Sequence, residues 1–344
     1  MADAISRPLI WVLKGLRAGD TAQAMELALQ VGGRVEGKQL SFNGLHMMPN
    51  WLTGARASHL TPAARSLLRP PWPDLVVATG KRTAPVSLWI KQRSGAHARI
   101  VQLGRPRMAL GQFDLVVTTP QYGMPPCTNV MQVPVPFAKP KAVSEIDLLA
   151  FQTLWAQLPR PWIVGVLGGH KFPQRLTSVE MAGFGLALDQ MAKQRGGSVI
   201  LLDSPRSPVG AIDITAKAIT TPCWRYQRGS GSNPYQPALA LGDAFAVTAD
   251  SVSMVTEMLL TGKPTTVFRL PVSALVPRWS AQSGIGAMLA RAGVLHPPRD
   301  VDGLMSRLQA DGYFSDSLQI NAIAASHEAV VARIRSLLAS PSAS

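Results

Sequence analysis

The 344-residue sequence predicts an α/β fold of two Rossmann-type domains with a crevice between them. Three observations carry this reading. Short Val-, Ile- and Leu-rich runs alternate with helical segments, the pattern of a parallel sheet covered on both faces. The alternation stops at the polar stretch KPKAVS, residues 139–144, and then starts again. The chain is also long enough for each half to bury a core of its own. The expected boundaries are a first α/β domain at 1–140, a second at 145–315, and a terminal helix with a frayed tail at 316–344.

The first half opens with a strand at 9–13, followed by the loop KGLRAGD and a helix over 21–31. Ala24, Leu27, Ala28 and Val31 recur at helical spacing and form its inward face. Gly15 and Gly19 permit close approach of the loop to an anion or acceptor, although the loop is neither a Walker loop nor G-x-G-x-x-G. Asp20 stands three residues before Gln23, which fits a capping box. It equally fits a general base on an acceptor hydroxyl. A strand at 35–40 leads into basic, proline-bearing sequence through residue 69. There His46, Met47, Met48, Trp51 and Leu52 suit an acceptor or membrane-facing surface, but burial against the domain is the preferred expectation. Strands at 74–79 and 99–103, a helix at 84–91, and the runs FDLVVTTP and MQVPVPF complete the half. Lys81, Arg82, Arg105 and Arg107 fall on strand-end loops, where they either bind a phosphate or carboxylate or simply meet solvent.

The second half begins with a helix at 145–157 and a strand that ends in Gly168, Gly169 and His170. The glycines allow a ligand close to the backbone, and His170 is a candidate acid–base residue at the crevice. After a helix at 180–194 and a strand at 198–202, the loop DSPRSP offers Ser204, Arg206 and Ser207 to a phosphate. A strand at 223–226 enters a long polar loop, beyond which Asn233, Pro234 and Tyr235 start a helix and offer contacts to a base. DAFAVTADSVSMVTEMLLTGKPTTVF then reads as strand, sharp turn, helix and strand. Val252, Val255, Met258 and Leu259 share the inward face of that helix, Asp250 or Ser251 caps it, and Gly262 suits its end. A helix that starts at a strand's carboxyl end presents free N–H groups and partial positive charge. Ser251, Val252, Ser253 and Met254 would therefore take a diphosphate, and Glu257 a ribose diol. The same residues would also make a well-capped α/β unit with no ligand. Helices at 284–291, 301–308 and 320–338 close the chain.

Composition narrows the function classes. Apolar residues make up 47% and charged residues 16%, so the chain folds rather than remaining disordered. No apolar run approaches a membrane span, and residues 8–13 are too short for a signal-peptide core. Two cysteines, Cys127 and Cys223, provide no disulfide framework or cysteine-rich metal site. These features predict a cytoplasmic protein. The net charge of +14 is uneven: residues 1–150 carry 17 Lys and Arg against 8 Asp and Glu. The remainder carries 17 against 12. A basic first half implies an anionic acceptor or an acidic membrane surface, and so a place peripheral to the inner membrane. Nucleic acid is not expected, since no recognition motif appears and few aromatics interleave the basic residues.

The pieces VGVLGG, LLDSPRSP, NPY and VTADSVSMVTEMLLTGKPTTVF resemble the second domain of glycosyltransferases of the GT-B fold. More closely, GLRAGDTAQ, PDLVVATGKRTAP, VQLGRPR, FDLVVTTP, GVLGG, SPR, NPY, TADSVSMVTE and TGKP occur in order over residues 8–275. Jointly they resemble bacterial members of the family named after the plant "elongated mitochondria" fission factor. That resemblance implies a GT-B-like chain with a nucleotide sugar in its second domain as substrate, and with neither cofactor nor metal. The reaction it implies is glycosyl transfer to an anionic acceptor such as an envelope lipid or saccharide. Asp20 would be the base, Arg206 would neutralise the leaving group, and the loops bearing Gly15, Gly19, Lys81, Arg82 and Arg105 would face the acceptor. The fission name implies a different class, a non-enzymatic adaptor, and a nucleotide-sugar epimerase on the same fold is a third. After FDLVV the chain reads TTPQYGMP where the family's pattern is Pro-x-His-Asp, and no catalytic role is assigned there.

Overall fold

The computed structural model describes residues 7–139, 141–172, 174–273, 281–314 and 319–340. They form two compact units, one from the described residues of Met1–Ala138, Pro277–Asp300 and Ala322–Ser344, the other from Lys139–Val276 and Val301–Asn321.

In the first unit the chain runs β1 (Leu9–Lys14), α1 (Ala18–Val31), β2 (Arg34–Gln39), α2 (Asn50–Thr53), α3 (Pro62–Ser66), β3 (Leu75–Thr79), α4 (Ala84–Arg93), β4 (Arg99–Leu103), β5 (Leu115–Thr118) and β6 (Val130–Gln132). The strands make one parallel sheet in the order β2-β1-β3-β4-β5-β6. Alternation along β1 divides the core. Trp11 and Leu13 pack with Ile90 of α4 and Ile100, whereas Ile10 and Val12 pack with Leu27 and Val31 of α1.

The second unit runs α5 (Glu145–Trp155), β7 (Trp162–Val166), α6 (Ser178–Arg195), β8 (Ser198–Leu202), α7 (Ala211–Ala216), β9 (Cys223–Tyr226), α8 (Tyr235–Leu241), β10 (Ala244–Thr248), α9 (Val252–Leu259) and β11 (Thr265–Phe268). Its parallel sheet has the order β11-β10-β7-β8-β9. Beyond it lie α10 (Gly284–Arg291), α11 (Val301–Ala310) and α12 (Gln319–Ala339).

The second domain expected at 145–315 is not continuous: 281–300 packs in the first unit. Gln282 and Arg291 donate to the carbonyls of Met124 and Pro126, at 3.1 and 3.0 Å. Gly293, at φ +77°, brings the segment so close to Met108 that a methyl group there would sit 2.2 Å from its carbonyl carbon. Most of α12 returns as well, setting Val330, Val331 and Ile334 into the core beside α1. The expected boundary at 315–316 and the tail beyond 340 lie outside the described residues.

Three aspartates align the sheets. Asp74, Asp114 and Asp243 each precede a strand and accept the N–H of the first or second residue of a neighbouring one. The donors are Leu9, Ile100 and Trp162, each at 2.7 Å. A carboxylate at that place satisfies a donor that the ladder leaves free.

Two local expectations change. Helix α1 begins at Ala18, with Arg17 as its cap residue and no side-chain capping bond. Gly19 and Asp20 are therefore already helical, and no Asp20–Gln23 capping box forms. The apolar residues of the 45–52 segment are not buried: Met47 is 69% exposed and Trp51 58%. They sit on short helical turns that rest on polar anchors instead. Asn50 is buried, and its amide donates to the carbonyls of Lys81 and Pro106, at 2.5 and 2.7 Å.

Candidate functional site

In an open parallel sheet, ligands bind at the carboxyl ends of the strands where the strand order reverses. In the second unit that point lies between β7 and β10, since the chain leaves β7 towards β8 and β9 and returns on its other side. Gly168 and Gly169 follow β7 there, and Asp250 and Ser251 follow β10.

Asp250 is fully buried and joins three loops. The N–H of Gly168 donates to Thr248 Oγ1 at 2.7 Å, and the Thr248 hydroxyl donates to Asp250 Oδ1 at 2.7 Å. The other oxygen, Oδ2, accepts the N–H of Gly169 and pairs with the Arg206 guanidinium, each at 3.0 Å. A methyl group on Gly168 would lie 1.9 Å from Asp250 Oδ1, and one on Gly169 would lie 1.9 Å from the Arg206 carbonyl oxygen. The glycines are thus needed for the loops to close on each other, ahead of any ligand. The DSPRSP loop is ordered from within: Ser204 N–H donates to Ser207 Oγ at 2.9 Å, whose hydroxyl reaches the carbonyl of Gly168 at 2.7 Å.

Asp250 is therefore engaged in holding these loops together and does not cap α9. The cap residue is Ser251, which is buried and makes no side-chain capping bond. No acidic residue stands in the first turn, and the first intrahelical bond is donated by Val255 to Ser251, at 3.1 Å. The N–H groups of Val252, Ser253 and Met254 consequently have no acceptor within the helix. This is an electropositive end suited to an anion.

Further along α9, Glu257 accepts a bond from the Tyr235 hydroxyl at 2.6 Å. Burial raises the Glu257 carboxyl above the usual range, while the tyrosine bond and Lys141 oppose that shift. Burial and the facing carboxylate push the Tyr235 phenol well up. Tyr235 thus braces Glu257, a role that twenty-two residues of separation hid from the sequence. Exposed Asn233 orders the start of α8 by accepting the Tyr235 N–H at 3.0 Å.

Exposed His170 accepts the Leu176 N–H through Nδ1 at 3.3 Å. In the first unit the order reverses between β1 and β3. Gly15 lies there beside Thr83, and half-buried Asp20, in the first turn of α1, lies against Gly80. Lys81 and Arg82 follow β3, and Arg105 and Arg107 follow β4. The sequence reading missed Arg299 and His296, which the returning segment brings to those loops. Among the described residues no group of three or more His, Cys, Asp or Glu is arranged to hold a metal, and no helix is long and apolar enough to cross a membrane.

Residues 18–303 match the protein family described as Mitochondrial fission ELM1. Among curated proteins the chain is similar to the mitochondrial fission protein ELM1 of Arabidopsis thaliana, with 29% identity over 234 residues, 58% of this chain and 52% of that protein. It is also similar to an uncharacterized protein of Rickettsia prowazekii (strain Madrid E), with 28% identity over 109 residues, 31% of this chain and 30% of that protein. The matches span about half of the first relative and less than a third of the second. Among solved structures, a glycosyltransferase from Rickettsia africae ESF-5 superposes with a TM-score of 0.52 and 10% identity, over 98% of this chain and 100% of that one. At that identity the likeness shows the fold, which is GT-B-like with two Rossmann-like domains.

Proposed function

The chain belongs to the mitochondrial fission ELM1 family, and we propose that it is a glycosyltransferase that takes its sugar from a nucleoside-diphosphate donor held in the second unit. The observation that carries this reading is the start of α9. Three N–H groups without intrahelical acceptors stand at the switch point, with no acidic residue in the first turn and Arg206 held at the neighbouring loop. Glu257 follows four residues after Ser253, about 6 Å further along the helix axis, a spacing suited to a ribose beside its diphosphate. The carboxylate keeps acceptor capacity beyond the bond from Tyr235.

Transfer leaves negative charge on the departing diphosphate. The helix start and the half-exposed Arg206 would stabilise that charge without a metal ion, because both are already oriented before the bond breaks. Asp250 keeps Arg206 in place and tempers its charge. The acceptor in this proposal is anionic, a lipid or saccharide of the cell envelope, and is met by the basic first unit. Asp20 is the candidate base, with His170 the second candidate. The setting is cytoplasmic, at the membrane surface.

A thermal-shift screen against nucleoside diphosphates and nucleotide sugars tests the reading, since a ligand of the folded state raises the melting temperature. The expected outcome is a clear rise with one nucleotide class that Ser253→Pro or Arg206→Ala diminishes. No rise with any of them would sink the transferase reading and favour an adaptor built on the same fold.

A further inference from the structure

The first unit gathers cations that have no ion pair among the described residues. Arg105 is only 8% exposed, and its guanidinium donates to the carbonyl of Pro297 and lies 5.4 Å from the centre of the Tyr122 ring. Arg299 lies 5.0 Å from the same ring and donates to Gln121 Oε1. Two guanidiniums therefore share one aromatic ring. Burial, and then the nearby charges of Arg107 and Arg82, push the Lys81 amine down. Burial, Arg107 and Arg299 likewise bring Arg105 down to about 10. Burial, and then Arg105 and Arg107, bring His296 down to about 4, so it is neutral at neutral pH.

Among the described residues none of Lys81, Arg82, Arg105, Arg107 and Arg299 forms an ion pair with a carboxylate. The buried Nε atoms of Arg82 and Arg299 have no hydrogen-bond acceptor. Holding like charges together in partial burial is unfavourable unless an anion neutralises them. Planar guanidiniums on several sides suit a phosphoryl group with oxygens in several directions.

The surroundings indicate what carries that group. Asn50 fixes α2 to the backbones of Lys81 and Pro106, and His59 Nε2 bonds the carbonyl of Arg82 at 2.9 Å. Residues 45–52, which carry the first of these anchors, expose Leu45, Met47, Met48, Trp51 and Leu52. Apolar side chains pinned beside a basic cluster match a surface that is anionic at its headgroups and apolar beneath.

We propose that Lys81, Arg105, Arg107 and Arg299 bind the phosphate headgroup of an anionic lipid, with the exposed side chains of 45–52 entering the bilayer interface. The assignment names the acceptor side of the proposed function and rests on that reading only for what the lipid is used for.

The test is co-sedimentation of the full chain with phosphatidylcholine vesicles, alone and with about 20 mol% phosphatidic acid. Calorimetry with inorganic phosphate and glycerol phosphate runs in parallel. Binding is expected only to the phosphatidic acid vesicles. It should weaken about tenfold or more in an Arg107→Gln/Arg299→Gln double variant, at roughly 1 kcal/mol for each cation near the surface. It should also weaken in Trp51→Ser/Leu52→Ser. Unchanged melting curves in both variants show that neither effect comes from unfolding. Arginine-dependent binding of free phosphate without vesicle binding would overturn the lipid and leave a soluble phosphoryl ligand. Equal binding to plain phosphatidylcholine, or binding indifferent to the arginine pair, would overturn the anion site, as would no binding at all. Nucleotide thermal shifts on the same samples distinguish failure here from failure of the donor site, because the substituted residues of both variants belong to the first unit.

Discussion

Glu257 is held half-buried with a tyrosine hydroxyl on one oxygen, and the two facts act on it in opposite directions. Burial disfavours the carboxylate, whereas the bond from Tyr235 favours it, and burial is the larger effect. A carboxyl whose folded-state pKa is raised binds its proton more readily folded than unfolded. Its contribution to stability is then fully present below the unfolded value of 4.5 and is lost as pH rises through the folded value. Glu257→Gln keeps an acceptor for Tyr235 and removes the buried charge. At neutral pH the variant should melt at the same temperature or slightly higher, and its melting temperature should vary less between pH 4 and 7. Nucleotide affinity should fall about tenfold, the loss of one charge-assisted bond to a ribose hydroxyl. A variant that melts earlier and binds nucleotide normally would make Glu257 a structural residue only. The acid is visible in the sequence at a helical spacing that suits a ribose; its tyrosine partner is not, because nothing local pairs positions 235 and 257.

At the scale of elements, the three loops after β7, β8 and β10 form one latch through Asp250. Asp250→Ala would leave the Gly169 N–H without its acceptor and Arg206 without its partner. The expected loss is about 2 to 4 kcal/mol, the upper part of the range for removing one member of a buried hydrogen-bonded pair, tempered by the partial exposure of Arg206. Urea denaturation measures it, and a loss under about 0.5 kcal/mol, typical of an unconnected surface site, would show that the latch is not a structural unit. Most elements were legible because each is announced locally. Val- and Ile-rich runs mark the strands, and a glycine after helical spacing marks helix ends. The start of α1 was misplaced since Ala18 and Gly19 carry no start signal and Asp20 resembles one. The aspartates of PDLVV, FDLVV and GDAFAV stood in plain view, yet their partners lie on neighbouring strands, so their role was not readable.

For the whole molecule, the chain builds the first unit, leaves it for the second, and then returns to it. Val330, Val331 and Ile334 of α12 are buried in the core beside α1. A chain ending at residue 321 would expose the apolar surface they cover. At about 2 kcal/mol for each side chain the loss is about 6 kcal/mol, comparable to the stability of a typical domain. Limited proteolysis of that truncated chain should cut within residues 9–132 under conditions that leave the full chain intact. Equal protection in both would mean that α12 is dispensable to the core.

The sequence by itself determined the α/β class, nearly every strand, the restart of the pattern near residue 139, the basic character of the first half and the start of α9 straight after β10. All of these rest on residues adjacent in the chain or repeated at the period of a strand or helix, where local sterics and hydrogen bonding decide. Only the tertiary structure decided that β7 and β10 are neighbours and that Asp250 holds Arg206. It alone also set Tyr235 against Glu257 and brought Arg299 from the far end of the chain to Arg105. Strand order and the return of distant segments are chosen by burial of whole faces, a property summed over the packed unit and written in no single stretch of sequence.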